Sequence, residues 1–311
     1  MTFQFQLGIL YSMEKFSFNT IDANKKIKQD LLEESRKTDP TKSSLVSSNI
    51  KLGEREMFLT NDLLKTVYKY KDKETGEKFY SKEHSDPRYD YFVALLAKGI
   101  LNVSDVIEHN GKILSREINL NKIKKDSSKE EIEAEFFILH YLFGDRDHNR
   151  KPKWNFRVKE KKFTHFDYGT AFTNSSRYQN ELNVIGYDKN VIPKKELIDY
   201  QIRKYFNENL LNTFEKAVGL SRKKENIFLK SILEKTELFI KQLENYDFFN
   251  NVIEKSKIEL SDHRFSFLSG NDNETRKKEL YQIMKERLFL LKELLNEKIN
   301  KDINNPPTNF N

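Results

Sequence analysis

The spacing of apolar residues divides the chain into three stretches. Residues 1–50 open on the alternating run TFQFQLGIL and then turn polar and rich in Ser and Lys. Within them IDANKKIKQDLLEESRK has the pattern of a short helix, and DPTKSSLVSSN, residues 39–49, that of a linker. From 57 to 120 the pattern is that of strands. KTVYKYK and KFYSKE flank the turn DKETGE, which predicts a β-hairpin between two aromatic-rich runs. A helix follows, with Pro87 near its start and Tyr89, Phe92, Val93, Leu96 and Ile100 at helical spacing. His109-Asn110-Gly111 then separates two short runs as a second hairpin turn. The expected order is β-turn-β, helix, β-turn-β.

The third stretch is mainly helical. SSKEEIEAEFFILHYLF, residues 127–143, begins with Ser as a cap and acids in the first turn, and continues as an apolar helix. WNFRV and KKFTHFDYG read as short strands on either side of a turn at 159–162. Beyond 193 the chain reads as all helix: one helix from Pro193 through Ala217, another lined by Ile227, Phe228, Ile232, Phe239 and Leu243. A last face carries Leu280, Met284, Leu288, Leu291 and Leu295. DINNPPTNFN at the end is expected to be disordered.

Composition narrows the chemistry. The 311 residues suffice for one large domain or two ordinary ones. The chain has no cysteine, which excludes disulfides, thiolate zinc sites and cysteine nucleophiles, and fits a reducing compartment. No apolar run is long enough to span a membrane, and no ordinary secretory signal is evident. The formal charge of +7 points to anionic partners only where it is clustered.

Chemistry-bearing residues concentrate at 144–169, in GDRDHNRKPKWNFRV and the later DYG. Phosphoryl transfer needs a divalent cation on hard oxygen ligands, a carboxylate to orient the acceptor hydroxyl, and a Lys on the phosphates. Short strands that turn back on each other can bring Asn155 and Asp167, twelve positions apart, to one metal. An Asp in the loop after the apolar helix would supply the base. His148 and His165 read as a loop donor and a satisfied strand histidine, because no third ligand has zinc-site spacing.

The succession of helix, G-D-x-D-x-N, N-x-x-V and h-x-D-x-G resembles the catalytic half of the kinase-like superfamily. HRD and a GxGxxG loop are missing, so the likeness is to its outlying branch: phosphoinositide kinases with their GDRH loop, HipA-like kinases, secretory-pathway kinases, and effector kinases of intracellular bacteria such as Legionella. It covers roughly residues 60–172. It implies an α+β bilobal kinase-like fold. The expected parts are an N-terminal extension and linker at 1–50, a small mixed N-lobe at 51–120, a C-lobe at 121–220 and an all-helical extension at 221–311.

Carried over residue by residue, the resemblance makes Asp147 the catalytic base, with Asp145 its rival because it directly follows Gly144. Asn155 and Asp167 become ligands of Mg²⁺ or Mn²⁺. The Asp-to-Asn spacing of eight exceeds the family's usual five, so Lys151-Pro152-Lys153 resembles an insertion and Asn149 is the alternative ligand. Lys82 in FYSK becomes the ATP-phosphate lysine, with Lys78 as runner-up. Asp90 is the carboxylate to pair with it, ahead of Glu83 and Asp86. Glu117, Ile118 and Asn119, in the segment ending at Leu120, become the adenine-contacting hinge. Gly53 is the lone hint of a phosphate-covering loop. The implied activity is ATP-dependent transfer to Ser/Thr of a protein substrate, in the manner of a bacterial effector delivered into host cytoplasm. A phosphoinositide kinase and a nucleotide-binding pseudokinase scaffold are the alternatives.

Residues 146–162 hold eight basic side chains against Asp147 and Glu160, a net of +6. Arg146, Arg150, Lys151 and Lys153 among them suit a compact polyanion, an inositol polyphosphate or phosphoinositide headgroup, as activator or recruiter. The basic and C-terminal helical regions are candidates for peripheral membrane contact. Nucleic acid is not expected, because aromatics do not interleave with the basic residues.

Overall fold

The computed structural model describes residues 50–304 apart from 61–62, 73–74, 83–85, 110, 119–125, 146–155, 160–161, 166–167, 170, 173–186, 188–190 and 219–221. The short helix and linker expected before residue 50 lie outside the described residues. The fold is mixed α+β, with small sheets and, among the described residues, seven α-helices. No described helix is long and apolar enough to cross a membrane. The chain separates into two compact units, residues 1–86 with 107–117, and residues 87–106 with 118–311.

The first unit is built on one sheet of order β1-β2-β3-β5-β4. Its strands are β1 (Ile50–Thr60), β2 (Leu63–Asp72), β3 (Lys78–Lys82), β4 (Val106–His109) and β5 (Lys112–Arg116). Both expected hairpins form. In the β2–β3 turn, Asp72 Oδ1 accepts from Thr75 N at 2.7 Å, and Gly76 supplies a φ of +70°. Gly111 turns β4 into β5 with φ +73°. β1 starts earlier than the strand pattern at 57 indicated. Gly53 lies inside it, at the register shift between Leu52 and Arg55. A glycine within a strand commonly marks such a bulge, so Gly53 is part of the sheet and not of a separate loop. Tyr70, Phe79 and Leu114 form a small buried cluster, with Arg116 over the Phe79 ring and Lys112 over the Tyr70 ring.

The second unit carries the main core. Helix α1 (Pro87–Ala97), expected in the N-lobe, clusters here, because its apolar face buries Phe92, Val93 and Leu96. Phe92 meets Phe172 and Phe249 edge-on. At the centre lies α2 (Lys129–Phe143). Ser128 Oγ accepts from Glu131 N at 3.1 Å, and Ser128 N donates to Glu131 Oε2 at 2.6 Å, closing a capping box. Every residue from Glu133 to Phe143 is buried, so α2 is covered on all sides. Each fully buried Phe or Leu there stabilises the fold by about 1.5–3 kcal/mol.

The described helices after 193 are α3 (Lys195–Asn209), α4 (Thr213–Val218), α5 (Arg222–Gln242), α6 (Tyr246–Ser256) and α7 (Asn273–Asn304), with a 3₁₀ turn at His263–Phe265. Three of these helices pack on α2. The single helix expected from Pro193 to Ala217 is two. Asn212 Oδ1 accepts from Glu215 N at 2.8 Å, and Asn212 N donates to Glu215 Oε2 at 3.0 Å. That reciprocal pair starts a new helix and ends the old one at Leu210. On α5, Phe228, Ile232 and Phe239 are buried, but Ile227 is exposed at the edge of the face. The α7 stripe of Leu280, Met284, Leu288, Leu291 and Leu295 is fully buried as expected. α7 runs through Asn304, into the tail expected to be disordered. One continuous core includes α2, α5 and α7, and it runs across the boundary expected at 220.

Candidate functional site

The hairpin β6 (Phe156–Lys159) and β7 (Lys162–His165) pairs antiparallel, with Phe156 opposite His165 at its open end. Asn155 is one residue before that pair and Asp167 two residues after it. The described strands end together at Phe156 and His165, where opposed Cα atoms stand about 4.5–5.5 Å apart. β7 is fixed to the helical unit by Ser104 N donating to His165 O (2.8 Å) and His165 N donating to Asn102 O (2.7 Å).

Beneath β7 lies a buried ionic centre that sequence reasoning missed. The carboxylate of Glu135, on α2, is within 3.1 Å of Lys235 Nζ from α5 and 3.5 Å of His165 Nε2. It also accepts from Asn102 N at 2.8 Å and Asn102 Nδ2 at 2.9 Å. Burial pushes the Glu135 carboxyl up, but the His165 contact, the Lys235 charge and the Asn102 amide outweigh it and hold it below its ordinary value. The signals were present. Glu135 sits inside the run EAEFFIL. Lys235 occupies a core-facing slot between Ile232 and Phe239. His165 is the strand histidine expected, with Glu135 as its carboxylate neighbour.

Gly144 and Phe172 meet at the end of α2. Gly144 caps the helix in the left-handed region, φ +61°. Phe172 N donates to Phe143 O at 2.7 Å, which joins the turn after Gly169 to the end of α2. Phe172 itself has φ +57°, a conformation rare for a bulky side chain, and is packed by Phe92, Phe143, Tyr187 and Phe265. Asp145 is fully buried, and its carbonyl lies 3.4 Å from His140 Nδ1. Asp90 on α1 is buried, and its carboxylate accepts the backbone N–H of Tyr168. Burial, then the Asp90 and Asp145 carboxylates, push the Tyr168 hydroxyl well above its ordinary value. Both carboxylates therefore act on the tyrosine of the DYG.

Arg287 of α7 is also buried. Its guanidinium donates to Tyr141 O and Val191 O, and stands 4.8 Å from the Tyr141 ring and 4.4 Å from the Tyr187 ring. Tyr187 in turn donates to Leu142 O. Its hydroxyl is pushed up to about 12 by burial, which the Arg287 charge only partly offsets. A Cβ added at Gly144 would lie 3.0 Å from Tyr187 Cδ2. Gly144→Ala, strained in both backbone and contact, is expected to cost about 1–2 kcal/mol in urea unfolding.

In the first unit, Lys78 Nζ is 3.5 Å from Glu117 Oε1, which also accepts from Tyr80 Oη at 2.8 Å. Lys82 ends β3 opposite Val67, and its side chain lies outside the described residues. The chain passes from the first unit to the second between Glu117 and Ile118, within the expected hinge segment. Asp147, Asn149, Asn155, Asp167, Arg146, Arg150, Lys151, Lys153, Asn119 and Glu83 lie outside the described residues. Among those described, no group of three or more His, Asp or Glu could hold a metal ion. Comparison with protein-family models, curated proteins and solved structures finds no match.

Proposed function

We propose that the protein is an atypical bilobal kinase that transfers the γ-phosphoryl group of ATP to Ser or Thr of a protein substrate. The observation that supports this reading is the β6–β7 hairpin, whose open end pairs Phe156, next in sequence to Asn155, with His165, two residues before Asp167. Asp and Asn oxygens are the hard donors that Mg²⁺ or Mn²⁺ prefers, so the donor set fits the metal ions such a reaction uses. A bound divalent cation would neutralise charge on the transferred phosphoryl group. Asp147 orients the acceptor hydroxyl. The burial of Asp145 suits a structural role beside Tyr168 and favours Asp147 over its rival. Lys82 holds the nonreacting phosphates. Lys78, engaged with Glu117, is the weaker candidate. The Glu117–Ile118 crossing between units serves as the hinge.

The test is incubation of the full chain with γ-labelled or α-labelled ATP, Mg²⁺ or Mn²⁺, a generic protein substrate and mixed phosphoinositides. The γ label is expected in protein. Label in lipid instead identifies a phosphoinositide kinase, and α label in protein a nucleotidyl transferase. No transfer, with nucleotide binding unchanged by Asp167→Ala, identifies a scaffold.

A further inference from the structure

The register of the first unit's sheet sets lysines against one another. β2 pairs with β3 so that Lys71 stands directly opposite Lys78 and Lys69 opposite Tyr80, and the β1 ladder sets Lys51 against Lys71. Tyr70, Phe79 and Leu114 are buried together on one face of the sheet. The alternate positions Lys69, Lys71, Lys78 and Tyr80 belong to the other face, where Lys71 and Lys78 are exposed. Directly opposed side chains leave a sheet about 4.5–5.5 Å apart and diagonal ones about 7–8 Å, so Lys69, Lys71 and Lys78 are rooted within about 8 Å of one another. Glu117 answers Lys78, with Oε1 at 3.5 Å from Nζ, but Lys71 has no ion pair among the described residues. Like charges directly opposite each other destabilise a sheet. Lysines often guard a sheet edge, but β2 and β3 lie inside the order β1-β2-β3-β5-β4 and need no such guard. A local rule broken with no structural gain marks a place where function chooses the residues.

We propose that this face binds an inorganic oligophosphate, a chain of three or more phosphoryl groups lying across Lys69, Lys71 and Lys78. Ammonium groups meet phosphate oxygens through charge-assisted hydrogen bonds, and as compact point charges they require no fixed angle of approach. A base is not part of the ligand. Tyr80, the described aromatic residue on this face, is partly buried, and its hydroxyl donates to Glu117 Oε1 at 2.8 Å. The inference uses neither the kinase reading nor a metal ion.

The experiment titrates the full chain with sodium tripolyphosphate in EDTA, followed by calorimetry, beside Lys71→Gln, Lys71→Glu and Lys112→Gln. Lys112 is the control for net charge, because its ammonium lies over the Tyr70 ring on the other face. The wild type and K112Q are expected to bind alike, K71Q about tenfold more weakly, and K71E too weakly to measure. K71E carries a second signature. It sets a carboxylate opposite Lys78, so its melting temperature is expected to rise by about 1–3 °C as binding is lost. No binding of tripolyphosphate by the wild type overturns the proposal and leaves a solvated face. Equal weakening in K71Q and K112Q also overturns it, since net charge alone would then attract the anion. A parallel titration with ATP separates the sources of phosphate: binding of ATP but not of tripolyphosphate, weakened in K71Q, assigns the face to a nucleotide and overturns the oligophosphate. Should K71E not fold, K71Q against K112Q decides alone.

Discussion

Asp167→Ala is expected to lower γ-phosphoryl transfer by on the order of 10³-fold or more, with the unfolding midpoint close to that of the wild type. The carboxylate is the one charged oxygen ligand in the proposed pair, so its loss removes the anchor for the cation that stabilises transferring charge. The described contacts of this segment run through Tyr168, Gly169, Ala171 and Phe172, which the substitution leaves in place. Asp147→Asn should lower kcat by about 10²–10⁴-fold with little change in the KM for ATP, as removal of a group that acts on the acceptor proton does. Asp145→Asn separates the rivals. Asp145 is fully buried beside Tyr168, so its replacement should move thermal stability first. A large kcat loss at an unchanged melting temperature in D145N, with D147N active, would reverse the assignment of the base.

Glu135→Ala is expected to destabilise the protein by about 3–5 kcal/mol, measured by urea unfolding, because it leaves Lys235 buried without its carboxylate. Adding Lys235→Met should recover much of that loss, since an apolar pair of similar volume avoids the unpaired charge. Recovery is incomplete because Asn102 N and Nδ2 lose the acceptor they share. A Lys235→Met addition that deepens the loss would show that the ammonium is not the cause. The same centre sets an acid limit. The folded Glu135 carboxyl lies below its unfolded value, so its contribution is fully present above the ordinary glutamate range, about pH 4.3. It is lost as pH falls through the folded value, when the unfolded chain binds the proton more readily. Stability of the wild type should therefore fall more steeply below about pH 4 than that of Glu135→Ala.

Several elements could be read directly from the chain because their causes are local. The hairpins came from turn chemistry at DKETGE and His109-Asn110-Gly111, and α2 from a Ser cap, an acidic first turn and an apolar run. The misread stretch, 193–217, failed for a local reason as well. Asn212 and Glu215 have the spacing of a capping box, but the apolar periodicity on either side masks it. The assignment of α1 to the N-lobe failed for a different one. Periodicity shows that Phe92, Val93 and Leu96 share a face, but not which core receives it.

The charged residues mark the division most clearly. Lys235 and Arg287 occupy slots in apolar stripes, and Glu135 lies in an apolar run, which is the sequence signal for the burial that the structure shows. What each one meets there was decided by tertiary structure: Glu135 meets Lys235 from a helix about a hundred residues away, and Arg264 reaches back to the DYG turn from 95 residues further along the chain. Periodicity records which side of an element leaves water, because that depends on its own residues. The partner of a buried charge depends on which other elements arrive at the same place, and the low dielectric there makes that choice decisive for stability.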